Sequence, residues 1–174
     1  MNYYTRTLWK QINSQNEYER ARANEQWERN SEAYSAYIQS LNNPVLTKFS
    51  NILNRYQGFH DYIVDSVLYN KESKKIMMVM HLNRRKTRLL FRGVEAIETN
   101  CGDICRALNG ETFGYFELEL LHGNKISISI AFDFEKEIRI IADDLWCRGR
   151  FLVPRRKQKM NHTATTRGAN HSPY

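Results

Sequence analysis

Residues 148 to 174 contain no aspartate or glutamate, although they hold Arg148, Arg150, Arg155, Arg156, Lys157, Lys159 and Arg167. The whole chain has 26 Lys and Arg against 19 Asp and Glu; without those cations, residues 1 to 147 carry 19 of each sign. The net charge of +7 therefore belongs to the tail, and the body is neutral. Basicity of the whole chain is thus no argument that the folded part binds nucleic acid.

Other features are also missing. No apolar run approaches the ~18 residues of a membrane-spanning helix. The opening MNYYTRTLWKQINSQNEYER lacks the apolar stretch of a signal peptide. Cysteine is sparse: three cannot all pair within one chain, so Cys101, Cys105 and Cys147 are expected as reduced thiols in a cytosol. A Gly-rich phosphate loop, a Gly-x-Ser-x-Gly elbow and a helical His-Glu-x-x-His are all absent, and with them the enzyme classes those motifs mark. No cofactor, resident metal or membrane contact is expected, and the chain reads as a binding protein rather than an enzyme.

What is present suits an α+β domain over residues 1–147, with a helical part at 1–58 and a sheet part at 59–147. The stretch 16–42 is highly polar, with Ala23, Trp27, Tyr34, Tyr37, Ile38 and Leu41 at helical spacing. Asn43 and Pro44 then supply an N-cap and a first-turn proline for a second helix, whose Val45, Leu46, Phe49, Ile52, Leu53 and Tyr56 share one face until Gly58 stops it. Strands are predicted at 61–70, 75–82, 87–97, 112–121, 126–133 and 137–143, joined by short loops that imply antiparallel hairpins. The expected architecture is N-terminal helices packed on one face of a mostly antiparallel sheet of about five or six strands. The basic tail, 148–174, is expected to be disordered.

One hairpin can be given a register. Phe116, Leu118 and Leu120 alternate with Glu117 and Glu119, and Ile126, Ile128, Ile130 and Phe132 alternate with Ser127 and Ser129. Only an odd loop keeps isoleucines opposite leucines and serines opposite glutamates. A loop at Gly123-Asn124-Lys125 pairs Leu120 with Ile128, Leu118 with Ile130 and Glu119 with Ser129. The sheet is then wet on one side and dry on the other, and the helices are the expected cover of the dry side.

Five groups of residues could carry function. His60-Asp61 follows the helix-stopping Gly58 and opens a strand; as a catalytic or metal-binding pair it is in the wrong context, because such doublets ordinarily sit on helices. Cys101, Cys105, Cys147 and His122 supply four metal ligands by count, but without the tight Cys-x2-Cys knuckle, and packing as small apolar residues is the expected role of the thiols. Glu117, Glu119, Asp133, Glu135, Glu137, Asp143 and Asp144 make the second half of the sheet acidic, and the polar phase of Glu117, Glu119 and Asp133 suits a solvated face better than a general acid–base pair. Arg84, Arg85, Lys86, Arg88 and Arg92 gather cations at one hairpin tip and its strand, and this is the cluster assigned to binding, for an acidic protein or a phosphate-bearing ligand. Tyr3, Tyr4, Trp9, Trp27, Tyr34 and Tyr37 concentrate aromatics in the helical part, at a spacing expected of core cover more than of a partner-binding stripe.

Tyr3-Tyr4-Thr5 followed by Trp9, the charged helix with Trp27, and Phe59-His60-Asp61 leading into an alternating strand together resemble an uncharacterised bacterial family, a domain of unknown function. That resemblance covers roughly residues 1 to 145 and implies a helical N-terminal part followed by a β-rich part, with no activity attached. A looser, fold-level likeness links such small proteins to bacterial immunity proteins, which act by binding a toxin. The expected function is a non-catalytic binding protein of a bacterial cytosol, of an immunity-type or phage-conflict kind, acting on a protein partner. One alternative is a nucleic-acid-binding protein using the basic tail and the hairpin tip. The other is a small metal-dependent hydrolase using His60 and Asp61.

Overall fold

The computed structural model describes residues 1–132 and 135–151. The expected disorder of the tail falls, from residue 152 onward, outside the described residues, as does the proposed site residue Asp133. The fold is α+β, as expected. Helix α1 spans Arg6–Ile12 and is capped by the Thr5 hydroxyl, which accepts the Leu8 N–H at 3.2 Å. Helix α2 spans Glu17–Ser40 and begins where the Asn16 side chain accepts the N–H groups of Tyr18 and Glu19. Glu17 and Glu19 lie in its first turn, where the helix dipole favours anions. Helix α3 spans Pro44–Arg55, and Asn43 caps it by accepting the N–H groups of Val45 at 2.9 Å and Leu46 at 3.1 Å. Its spacing places Leu46, Phe49 and Leu53 on one buried face, and Gly58 turns the chain just beyond it at a φ of 67°.

Eight strands follow among the described residues: β1 Ile63–Asn70, β2 Lys75–Leu82, β3 Arg85–Arg92, β4 Ala96–Thr99, β5 Phe113–Leu120, β6 Ile126–Phe132, β7 Lys136–Ala142 and β8 Asp144–Phe151. A short helix, α4, spans Ile104–Ala107. The strands form two four-stranded antiparallel sheets, ordered β1-β2-β3-β8 and β4-β7-β6-β5. The single sheet expected from sequence is divided by a bend. The predicted strand 87–97 breaks into β3 and β4 at Gly93, and β7 passes into β8 at Asp143. The ladder runs on through the bend, because Asp143 N–H donates to Arg92 O at 3.1 Å and Glu95 N–H donates to Ile141 O at 2.9 Å. Gly93 has a φ of 64°, and a Cβ there would lie 2.0 Å from the Asp143 carboxylate, so only glycine fits the corner. At the opposite edge, Phe113 N–H donates to Tyr62 O at 2.7 Å and Asp61 N–H to Phe113 O at 3.0 Å, tying β1 to the start of β5.

The two dry faces bury each other. Ile76, Met78, Leu89 and Phe91 from one sheet share a core with Ile128, Ile130, Ile138 and Ile140 from the other, all fully buried, and α3 adds Leu46, Phe49 and Leu53. Two amphipathic sheets satisfy one another better than a narrow-striped helix could. The helices cover less than expected: of the N-terminal ones α3 supplies the fully buried side chains, and α2 lies along the edge strand β5 with Ile38 packed against the core. There the Tyr34 hydroxyl accepts the Leu118 N–H at 2.6 Å, closing a backbone group that the edge leaves open.

The β5–β6 hairpin keeps the expected faces in a different register. Leu118 faces Ile128, Glu119 faces Ser127 and Leu120 faces Ile126. The loop is odd, as the alternation required, but it begins earlier: Leu121 N–H donates to Lys125 O at 2.8 Å around His122–Asn124. The pairing is displaced by two residues, which leaves every side chain on its expected face.

Strand β8 overturns the boundary drawn at residue 147. Arg148 pairs with Arg88 and Gly149 with Thr87, so the first residues of the basic segment belong to the sheet. The run of cations there reads as a solvated tail, yet Arg148 alternates with the inward-facing positions Cys147 and Gly149. A chain ending at 147 loses half of the ladder with β3 that a chain ending at 151 keeps. At ~1 kcal/mol per ladder hydrogen bond, the shorter chain should be roughly 2–4 kcal/mol less stable by urea titration.

Candidate functional site

Alternation in the sheet β1-β2-β3-β8 sends even-numbered β2 residues to the core and odd-numbered ones outward. The pairings then assemble rows on the outer face. Leu68 pairs with Met77, Met77 with Leu90 and Leu90 with Trp146, which makes one apolar row crossing all four strands. Leu68 is 57% exposed and Trp146 39%, and Met77 and Leu90 between them are half-buried. On one side of that row, Val79 pairs with Arg88 and Arg88 with Arg148. On the other, Lys75 pairs with Arg92 and Arg92 with Asp144. Beyond Arg88, the His81 Nδ1 lies 2.6 Å from Asp65 Oδ1 and the Lys86 Nζ 3.1 Å from Asp65 Oδ2.

Charges on this face are unevenly matched. Asp144 holds Lys48 and, at 2.6 Å, Arg92. Burial raises the Asp144 carboxyl pKa, but the Lys48 and Arg92 contacts outweigh it and the net shift is downward. The same competition holds at Asp65, where burial is outweighed by Lys86 and His81. Arg88 and Arg148 have no carboxylate partner among the described residues and stand exposed beside Trp146. The face is thus an apolar strip with uncompensated positive charge along one flank.

The five cations assigned to binding are divided by the strand. Arg84 is exposed in the two-residue turn with Asn83, and Lys86, Arg88 and Arg92 face outward. Arg85 faces the other way, its guanidinium 5.6 Å from the centroid of the Tyr56 ring. Sequence reasoning missed Leu68, Met77, Leu90, Trp146 and Arg148. A signal was available in β2: Lys-Ile-Met-Met-Val-Met-His-Leu is apolar on both phases, more than one covered face requires.

The other candidates stand apart from this face. His60 Nδ1 lies 3.0 Å from Asp61 Oδ1 in the turn before β1, and no three His, Cys, Asp or Glu side chains approach a common metal position among the described residues. Cys101, Cys105 and Cys147 are free thiols. Burial pushes the Cys147 thiol up to about 11, against smaller opposing effects of Tyr56 and Arg55, so it stays protonated near neutral pH. Asp143 lies 3.4 Å from Lys125, Glu119 2.9 Å from Arg139, and Glu137 3.1 Å from the Met1 amine, while Glu135 contributes its carbonyl oxygen to Asn100 and Arg6. Glu117 corrects the reading of a solvated acidic face. It is only 7% exposed, because residues 1–4 cross over it and direct three backbone N–H groups at its carboxylate.

The aromatics are neither core nor free stripe. Tyr4, Trp9 and Trp27 surround Tyr115 of β5, with ring centroids 6.0, 4.8 and 4.5 Å from it, and all are half-buried. Burial, reinforced by the Asp61 carboxylate and Tyr4, pushes the Tyr115 phenol from 10.0 up to about 12. The unfolded phenol therefore ionises first, and the stability it contributes below pH 10 is lost as pH rises towards 12. Thermal scans across that interval should show a falling midpoint, and Tyr115→Phe should flatten the fall.

No protein-family model and no curated protein matches this chain.

Proposed function

We propose that the protein is a non-catalytic binding module that docks an acidic protein segment across the outer face of β1-β2-β3-β8. The observation that carries this reading is the row Leu68–Met77–Leu90–Trp146 on the face away from the core, exposed at its two ends and flanked by Arg88 and Arg148, which have no carboxylate partner among the described residues. An apolar strip supplies contact area, and unpaired arginines beside it select for carboxylates and fix register. The chain's own basic tail is a poor occupant, because residues 152–174 include Arg155, Arg156, Lys157, Lys159 and Arg167 and no acidic side chain. A single aromatic ring amid aliphatic side chains suits protein better than nucleic acid, which favours stacking platforms. A toxin-neutralising role of the immunity type would be one form of this activity.

The test is capture of proteins on immobilised full-length chain from nuclease-treated lysate of its own organism, beside the double variant Arg88→Glu and Arg148→Glu. Both positions are exposed, so the reversal should leave stability within about 0.5 kcal/mol. The expected result is one stoichiometric acidic protein whose affinity falls at least about tenfold in the variant. Equal capture by both chains, or capture that nuclease removes, contradicts the reading.

A further inference from the structure

A second recess lies away from the docking face, between α2, α3 and β5. It is an open groove of about 520 Å³, within the size range of small-molecule sites. Trp27, Tyr34 and Tyr115 give it aromatic walls, and Gln39, Asn54 and His60 stand along its rim. Among the described residues no Asp, Glu, Lys or Arg lines it, in a chain of which 26% is charged. A surface groove without formal charge neither attracts an ionic ligand nor offsets the desolvation of one.

The polar groups are already held in place. Gln39 Nε2 donates to Ser35 Oγ at 3.2 Å, and Asn54 Nδ2 donates to Ser50 Oγ at 3.2 Å, each across one helical turn. Each amide keeps a second N–H and its oxygen for a ligand. His60 contacts Asp61 through Nδ1 at 3.0 Å and meets the Tyr115 ring edge-on at 5.1 Å. Its backbone is set by an unusual turn: Gly58, Phe59 and Asp61 all have positive φ, at 67°, 61° and 67°. Phe59 and Asp61 carry a steric cost in that region, which is sustained because Phe59 is fully buried. The histidine is thus held at the mouth of the groove by the fold, and no set of metal ligands gathers around it among the described residues.

We infer that this groove binds an uncharged carbohydrate, with a sugar ring lying against the aromatic wall that Trp27, Tyr34 and Tyr115 present to the groove and its hydroxyl groups taken by Asn54, Gln39 and His60. A pyranose combines an apolar C–H face with equatorial donors and acceptors, which matches aromatic walls bordered by neutral amides.

Chitotriose, cellotriose and maltotriose serve as probes, each titrated to about 10 mM into the full chain, a range that covers weak monovalent recognition. The readout is the set of indole N–H resonances of Trp9, Trp27 and Trp146. At least one trisaccharide should shift Trp27 saturably and leave Trp146, on the docking face, in place. Asn54→Ala, an exposed substitution that leaves the core intact, should weaken that binding about fivefold through loss of one neutral hydrogen bond. Tyr115→Ala should abolish it. The inference is overturned if none of the three sugars gives a saturable shift, if Trp27 and Trp146 shift alike, or if Asn54→Ala binds like the parent chain.

Discussion

Replacing Glu117 with alanine should cost about 3–5 kcal/mol, because each of three partly buried backbone donors left without its acceptor forfeits ~1–3 kcal/mol at most. The side chain lies on the outer phase of β5 yet is only 7% exposed. Its carboxylate accepts the N–H of Asn2 at 2.5 Å, of Tyr3 at 2.7 Å and of Tyr4 at 2.6 Å. These are charge-assisted bonds, stronger than neutral ones. Alanine leaves three backbone donors unpaired and unpins Tyr3 and Tyr4, whose rings pack at 5.2 and 5.8 Å from Tyr34. The melting temperature should fall by roughly 6–20 °C, and the amide hydrogens of residues 2–4 should exchange much faster. Glu119→Ala is the control. That side chain is 46% exposed and pairs with Arg139, so its loss should stay below about 1 kcal/mol. Equal effects of the two substitutions would show that the N-terminal segment is not held through Glu117.

Phe49→Ala should be comparably damaging. Phe49 is fully buried in the middle of α3, between Leu46 and Leu53, in the core cluster that both sheets share. Removing a buried phenyl ring forfeits its transfer free energy and leaves a cavity, together about 3–5 kcal/mol. The neighbours cannot collapse into the space, because they belong to two hydrogen-bonded sheets. Tyr18→Ala, in α2, should be close to neutral, since that ring is 72% exposed. Urea unfolding of the two variants separates the helix that builds the core from the helix that lies outside it. A small effect at Phe49 would place α3 outside the core.

Some of this organisation is legible in the amino-acid order because it is local. The caps, proline and apolar spacing of α3 are consecutive signals, and the structure follows them. Strand β2 has the bounds that its composition suggests, and the β5–β6 faces follow from alternation. The register differs because a shift by two residues preserves every face, so side-chain pattern alone cannot fix it. The division into two sheets rests on Gly93 meeting Asp143, residues far apart in the chain. Burial of Glu117 rests on a contact with the first residues, again remote. The face proposed for docking is half legible for the same reason. Arg84, Arg85, Lys86, Arg88 and Arg92 cluster in sequence, but Leu68, Met77, Leu90 and Trp146 become one row only when four strands are in register. Arg148 was hidden differently: its neighbours made it look like part of a tail.

The most direct test of the proposed docking face is a photoreactive benzoylphenylalanine placed at Leu68, compared with the same group at the still more exposed Tyr18 on α2. Each full-length chain is irradiated in nuclease-treated lysate of its own organism, and adducts are identified by mass spectrometry. Docking across β1-β2-β3-β8 predicts one protein adduct at position 68, acidic in sequence, absent at position 18 and suppressed by Arg88→Glu. The same adduct at both positions, or at position 18 alone, would contradict it.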